Sequence, residues 1–438
     1  MEHKSLFRQF VHWGNVNYKR LRAVVIYPFS LFSYKYLVPV RQRRYVNKLK
    51  RKKKINVVFF AMNVPMWHYQ RLYEALKSMP GFNVFIVLSP SRLYDVDQQQ
   101  TDIKLLRKYF NAKNIDFIDN DPLEPNHYFD VKKHLSPDIL FYCQPYEHSL
   151  NKMHDNTHFT SRLMCYYPYA FWLGNEKWGY NLPFHNTAWK LFYATKYNLL
   201  DAQRIAINKG RNVVVTGFPN TDDYLSVVPR DVWKSQNVKK KRVIIAPHCT
   251  INVSPQNKST HGGFLWYGDY ILDVAKKYND KLQFVFKPHP RLKTELYNHP
   301  DWGKERTDKY YHAWETLENG QLEEGSYIDL FMTSDAMIHD CGSFIVEYLY
   351  SKNPVMYLCK EADKFKSIFN DFAKAALECH YMGTSTDDID TFLDHVVLSG
   401  NDEMKERREK FFKDNLLPPN GKTVTQNTVD DLLNSLEL

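Results

Sequence analysis

From Ile55 onward, short unbroken apolar runs alternate with amphipathic stretches. Ile55–Ala61 (INVVFFA) and Asn83–Leu88 (NVFIVL) read as buried strands, with a helix over Tyr69–Met79 ended by Pro80-Gly81. Ile139–Tyr142, Met164–Tyr167, Lys190–Tyr193 and Asn212–Val215 continue the series. The charged stretch Pro229–Arg242 follows, then a second series: Val243–Ala246, Leu282–Phe286, Ala336–Ile338 and Val355–Leu358. Helices are expected over Tyr270–Tyr278, Phe344–Tyr350, Met404–Asp414 and Thr428–Leu436. Strands apolar at every position, separated by helices, imply parallel sheets covered on both faces. The predicted class is α/β, with two doubly wound, Rossmann-like domains facing a cleft. Such folds bind ligands beyond the carboxyl ends of their strands.

Residues 1–54 break the pattern. They hold 15 of the 59 Lys and Arg and one acid, Glu2, so a net charge of +10 divides into +14 for the arm and −4 for the remainder. A basic stripe on a folded domain is therefore missing, which argues against nucleic acid as a partner. Ala23–Val40 is the most apolar segment, interrupted by Pro28, Lys35 and Pro39. A spanning helix needs about 20 predominantly apolar residues. The arm reads instead as an interfacial segment, its aromatic residues at headgroup level and its bases toward anionic lipid. The alternative is a basic arm wrapped on the fold. The expected segments are the arm, 1–54; an acceptor domain, 55–235; a donor-nucleotide domain, 236–415; and a terminal helical segment, 416–438, packing back on the first domain.

The six cysteines form no CxxC pair and show no zinc-ligand spacing, so no metal is expected, and a reduced cytosolic setting is. MEHKSLFRQF lacks the form of a secretory signal. No GxxxxGK[ST], GxSxG, HExxH or GxGxxG occurs, which removes the main support for P-loop, α/β-hydrolase, zincin and dinucleotide readings.

The candidate chemistry lies just after strands. In Lys287-Pro288-His289-Pro290-Arg291, prolines fix a histidine flanked by cations. Ala246-Pro247-His248-Cys249-Thr250 places His248 and Thr250 similarly. Asp340-Cys341-Gly342-Ser343 joins a strand to a helix, where Gly342 allows close backbone approach and Ser343 with free amides can hold phosphate. Ser343 equally suits a plain N-cap. Glu347, one turn on, can face the same ligand and accept from ribose hydroxyls. Val213–Asp223 (VVVTGFPNTDD) puts Gly217 at a hinge or cleft wall. Tyr166–Gly174 and Asn181–Trp189, with His185, concentrate aromatic residues as an acceptor surface or as core.

KPHPRL, Ser334–Leu358 (SDAMIHDCGSFIVEYLYSKNPVMYL), GFPNTDD and APHCT together resemble the CDP-glycerol glycerophosphotransferase family, teichoic-acid polymerase and primase-like enzymes also found in capsule loci. The likeness is strongest over residues 211–360. It implies a GT-B-like fold and peripheral attachment at the cytoplasmic face of the cell membrane. It implies a donor site in the C-terminal half and transfer of a polyol phosphate from a CDP-alcohol to a hydroxyl of a lipid-linked or polymer glycan acceptor, with release of CMP. No cofactor is implied beyond that donor substrate. Lys287, His289, Arg291, Asp340, Gly342, Ser343 and Glu347, with Gly217 and Thr250, are the donor-site candidates. His289 matches the family's His-Pro histidine, Ser343 its phosphate-binding serine. The family's N-terminal half commonly carries a Trp-His-Gly motif, but the corresponding YYPYAFWLG holds no histidine. His185 and His248 are then the candidate bases. A GT-B glycosyltransferase using a nucleotide sugar, and an inactive membrane-surface scaffold, are the alternatives.

Overall fold

The computed structural model describes residues 27–438 except 121–127, 227, 252–262, 326 and 361–365. Residues 1–26, half of the predicted arm, lie outside the described residues.

Two units emerge. The first holds the described residues up to Tyr169, then Lys177–Pro219 and Pro419–Leu438; the second holds Ala170–Glu176 and Asn220–Pro418. The first contains β1 (Ile55–Ala61), β2 (Phe82–Leu88), β3 (Ile139–Tyr142), β4 (Leu163–Tyr166), β5 (Lys190–Tyr193) and β6 (Val213–Val215). They form one parallel sheet in the order β2-β1-β3-β4-β5-β6. The second contains β7 (Lys241–Ala246), β8 (Leu282–Phe286), β9 (Gly320–Leu322), β10 (Ala336–His339), β11 (Val355–Leu358) and β12 (Tyr381–Gly383), parallel in the order β12-β11-β10-β7-β8-β9.

Both sheets are doubly wound, because the chain builds outward from one central strand and then returns to its other side. The reversal falls between β1 and β3 in the first unit and between β7 and β10 in the second. The strands are long enough in Val, Ile and Phe to be buried on both faces, as β8 is throughout. Phe59 stacks on Phe141 at 4.6 Å in the first core, and Phe286 on Trp314 at 5.2 Å in the second. Offset aromatic pairs of this kind add about 1 kcal/mol beyond the area they bury.

The described part of the arm is helical, over Tyr27–Phe32 and Val38–Leu49, with a π turn at Ser33–Leu37 between. Pro39 explains the turn. It has no N–H for the Lys35 carbonyl four residues back, so the helix widens there. The Lys35 carbonyl accepts instead from Arg211 Nη1 at 3.4 Å. Pro39 thus deforms a helix that the sequence pattern leaves interrupted. Val38, Val46 and Leu49 are buried, and Tyr45 donates to Asp138 at 2.9 Å. The arm's second half is therefore packed on the first unit. Phe29, Phe32, Tyr36 and Val40, at spacings of three and four, stay exposed along one stripe. Among the described residues, no helix is long and apolar enough to cross a membrane. The terminal helix Val424–Leu436 packs on the helices Gln70–Lys77 and Val38–Leu49.

Candidate active site

The second unit's switch point, between β7 and β10, brings three strand ends together. Register pairs Ala246 with His339 and Ile245 with Phe286. The residues that follow, Pro247-His248, Lys287-Pro288-His289 and Asp340, therefore emerge side by side. Backbone bonds continue past the strands: Lys287 N–H donates to Ile245 O at 2.7 Å and His289 N–H to Pro247 O at 2.9 Å. The two imidazoles end 5.1 Å apart between ring centres, inclined at 61°.

Asp340 is fully buried, and its carboxylate binds backbone. One oxygen accepts the His248 N–H at 2.5 Å and the other accepts the Gly263 N–H. Burial pushes its pKa up to about 6, against the pull of those amides. The residue thus ties the loop after β7 to the start of the helix Phe264–Lys277.

His289 Nδ1 accepts the Arg291 N–H at 3.1 Å, and His248 Nδ1 accepts the Thr250 N–H at 3.2 Å with Thr250 Oγ1 at 2.9 Å. Burial, with Arg291 and Lys287 nearby, lowers the His289 pKa to about 4. His289 is therefore a neutral imidazole at pH 7, and with Nδ1 accepting it presents Nε2–H as a donor. Lys287 is buried, and burial lowers its pKa too. Arg291 is exposed and paired with Glu295 at 2.5 Å.

Ser343 precedes a helix of one turn, Phe344–Glu347, that tightens into a 3-10 turn at Tyr348–Tyr350. Together they span the Phe344–Tyr350 that the sequence predicts, but as a single α turn and a 3-10 turn, which weakens the dipole available there. The Ser343 hydroxyl caps nothing. It lies 3.3 Å from Cys341 Sγ and is exposed. The Ser343 and Phe344 amides act on the buried Cys341 thiol, and burial outweighs them, raising it to about 11. Glu347 is buried, and its Oε2 accepts from Tyr327 at 2.7 Å and Tyr224 at 3.3 Å. Burial raises its pKa to about 7, against both hydrogen bonds. Tyr224 is held in turn by a parallel stack on Tyr350, centroids 4.3 Å apart.

The structure so gathers His248, Thr250, Lys287, His289, Arg291, Asp340, Gly342, Ser343 and Glu347 in one unit. Gly217 and His185 belong to the other. Gly217 follows β6 at φ 106°, a conformation that favours glycine. His185 is enclosed: its Nδ1 accepts the Leu182 N–H at 3.1 Å, its Nε2 is buried without a hydrogen-bond partner, and burial lowers its pKa to about 3. It caps a short helix in the core, a placement that sets it apart from the other candidates. The YYPYAFWLG stretch leaves the first unit after Tyr169; its Phe171 packs on Phe372 of the second at 5.7 Å.

Sequence reasoning passed over Tyr224 and Tyr327, the partners of Glu347, and His68, on the loop after β1 at the first unit's switch point. His68 Nε2 lies 2.9 Å from Pro65 O, its ring meets Phe218 edge-on, and burial lowers its pKa to about 4. The signal for it was position alone: a histidine just past the central strand.

Two Rossmann-like units, with polar side chains clustered at a switch point, make a GT-B-like fold. The family model described as CDP-Glycerol:Poly(glycerophosphate) glycerophosphotransferase matches residues 189–434, and the chain belongs to that family of enzymes. Among solved structures, the wall teichoic acid polymerase TagF shares the fold at a TM-score of 0.57 and 13% identity, over 89% of this chain and 90% of that one. A TagF structure soaked with CDPG gives 0.54 at 14%, over 89% and 90%. The Staphylococcus aureus MnaA-UDP structure gives 0.56 at 14%, over 88% and 97%. No curated protein matches.

Proposed function

We propose that the chain moves glycerol phosphate, or a similar polyol phosphate, from a CDP-alcohol to a hydroxyl of a membrane-associated glycan or polymer, releasing CMP. The observation that carries this reading is the family match, whose residues 189–434 include every donor-site candidate gathered in the second unit.

In this reading the acceptor oxygen attacks the phosphorus next to glycerol. The bond from that phosphorus to the bridging oxygen breaks, and charge develops on the CMP phosphate. His289 Nε2–H, Lys287 and the Ser343 hydroxyl stabilise that charge, with His248 beside His289. Asp340 and Thr250 position His248. Glu347, its Oε2 occupied by tyrosines, offers Oε1 to the ribose hydroxyls. The acceptor proton needs a base. Both site imidazoles have Nδ1 committed to a backbone N–H, which suits donation, and His185 is enclosed. We assign this task to His68, on the loop after β1 at the first unit's switch point. The arm's exposed aromatic stripe and neighbouring bases hold the enzyme at an anionic membrane surface, each base adding about 1 kcal/mol.

The test is a nucleotide panel. CMP release from CDP-glycerol or CDP-ribitol, dependent on an acceptor, is expected. Release of a nucleoside diphosphate from a nucleotide sugar, with none from the CDP-alcohols, would overturn the reading in favour of a glycosyltransferase.

A further inference from the structure

Cys249 lies between His248 and Thr250 on the loop after β7, and no step of the proposed transfer uses it. One ligand atom from each of His248, Cys249 and His289 can be chosen so that all three lie within 4.8 Å of one another. The cluster escapes any reading of spacing along the chain, because His289 comes from the next strand and meets the other two only through the β7–β8 pairing.

We propose that His248, Cys249 and His289 form a binding site for a divalent transition-metal ion of the zinc type. Two imidazoles and one thiolate are a borderline-soft donor set that suits zinc over magnesium or calcium, and three protein ligands leave a fourth position open. Thr250 Oγ1, 2.9 Å from His248 Nδ1, is the orienting partner such a ligand requires. With the proton on Nδ1 the hydroxyl accepts it, at the cost of the Thr250 N–H bond to that nitrogen, and Nε2 is the ligand atom. Coordination through Nδ1 of His289 would displace the hydrogen bond from the Arg291 N–H. Both Asp340 oxygens already accept backbone amides. Lys287 and Arg291 oppose a cation, and Glu295 offsets Arg291. These costs make the site weak and exchangeable, unlike a closed structural zinc site. Binding replaces the Cys249 S–H bond with an S–metal bond and releases that proton to the buffer; nothing is oxidised or reduced.

The full chain, stripped with chelator, is titrated with Co²⁺. The expected result is a thiolate-to-cobalt charge-transfer band in the near ultraviolet that saturates at one ion per chain and is displaced by Zn²⁺. C249S should lose the band and keep the parent thermal melt. If C249S melts early, H289Q serves instead, and ion affinity should fall at least tenfold. No band at millimolar Co²⁺, an equal band in C249S, or unchanged affinity in H289Q would overturn the proposal. A separate arm rests on the donor reading: Zn²⁺ should inhibit CMP release from CDP-glycerol competitively, and C249S should be active but resistant. The cobalt band tests the ion site whether or not CDP-glycerol is the donor.

Discussion

The Asp340 carboxylate accepts the His248 backbone N–H at 2.5 Å, so a residue at the end of β10 sets where the loop after β7 stands. Asp340→Ala leaves the His248 and Gly263 amides unpaired in the interior, at about 1–3 kcal/mol each. The melting temperature should fall by on the order of 10 °C for a unit of this size. Asp340→Asn, which keeps one acceptor, should recover part of the loss. A positioning role also predicts a lower kcat for Asn at nearly unchanged KM for the donor. Parent kcat in the Asn variant would remove that role.

His289→Ala should reduce CMP release at least 100-fold, the usual cost of one preorganised donor to developing charge. The fold should hold, because the ring is only partly buried and its Nδ1 bond to Arg291 is local. Near-parent rates with an intact melt would take His289 out of the donor site.

Glu347 predicts a pH signature. Its pKa is raised from an ordinary 4.5 to about 7, chiefly by burial. Between those values the folded state keeps a proton that the unfolded state has lost. Stability conferred by the protonated acid is therefore complete below about pH 4.5 and declines as pH rises to about 7, by about 3 kcal/mol at most. Glu347→Gln imitates the protonated acid and should flatten this part of the curve. Melting temperatures of the two proteins should diverge from pH 5 to pH 8; parallel curves would show that burial does not hold the proton.

His68→Ala should suppress transfer to acceptor while leaving the affinity for a CDP-alcohol, read by calorimetry, within twofold. His185→Ala should do the opposite: it frees the Leu182 N–H and opens a cavity, so the melt should shift with the catalytic parameters largely kept. Exchanged outcomes would return the base to His185.

Replacing Phe29, Phe32 and Tyr36 together by Ser should release the protein from anionic vesicles without a change in melting temperature, since all three are exposed. Salt should weaken parent binding through screening of the bases. Deleting residues 1–54 is a poorer test, because it also strips Val38, Val46 and Leu49 from the core. Undiminished pelleting of the triple variant would place the membrane contact elsewhere.

Ten of the twelve strands among the described residues were legible in the sequence, because a strand covered on both faces is apolar along most of its length. The two that were not, Gly320–Leu322 and Tyr381–Gly383, are three-residue edge strands of the second sheet. His289 and Asp340 were visible for the same reason, as polar residues ending apolar runs. What those residues hold was not visible. The bond from the His248 amide to Asp340 depends on sheet register, and Glu347 takes its partners from 20 and 123 positions away. His185 stands among Asn and Thr, the composition of a site, while its ring caps a buried turn, a contact that sequence composition does not reveal.

The first unit is assembled from three pieces of chain, the last being Pro419–Leu438. Every residue of the second unit precedes that piece, most of them in Asn220–Pro418. During synthesis, then, the second unit can close while the first still lacks the helix Val424–Leu436 that covers Gln70–Lys77. The usual order, in which N-terminal domains finish first, is reversed. A ribosome that stops short of residue 424 would release a chain with a finished second unit and an open apolar face on the first, a natural target for chaperones and proteases.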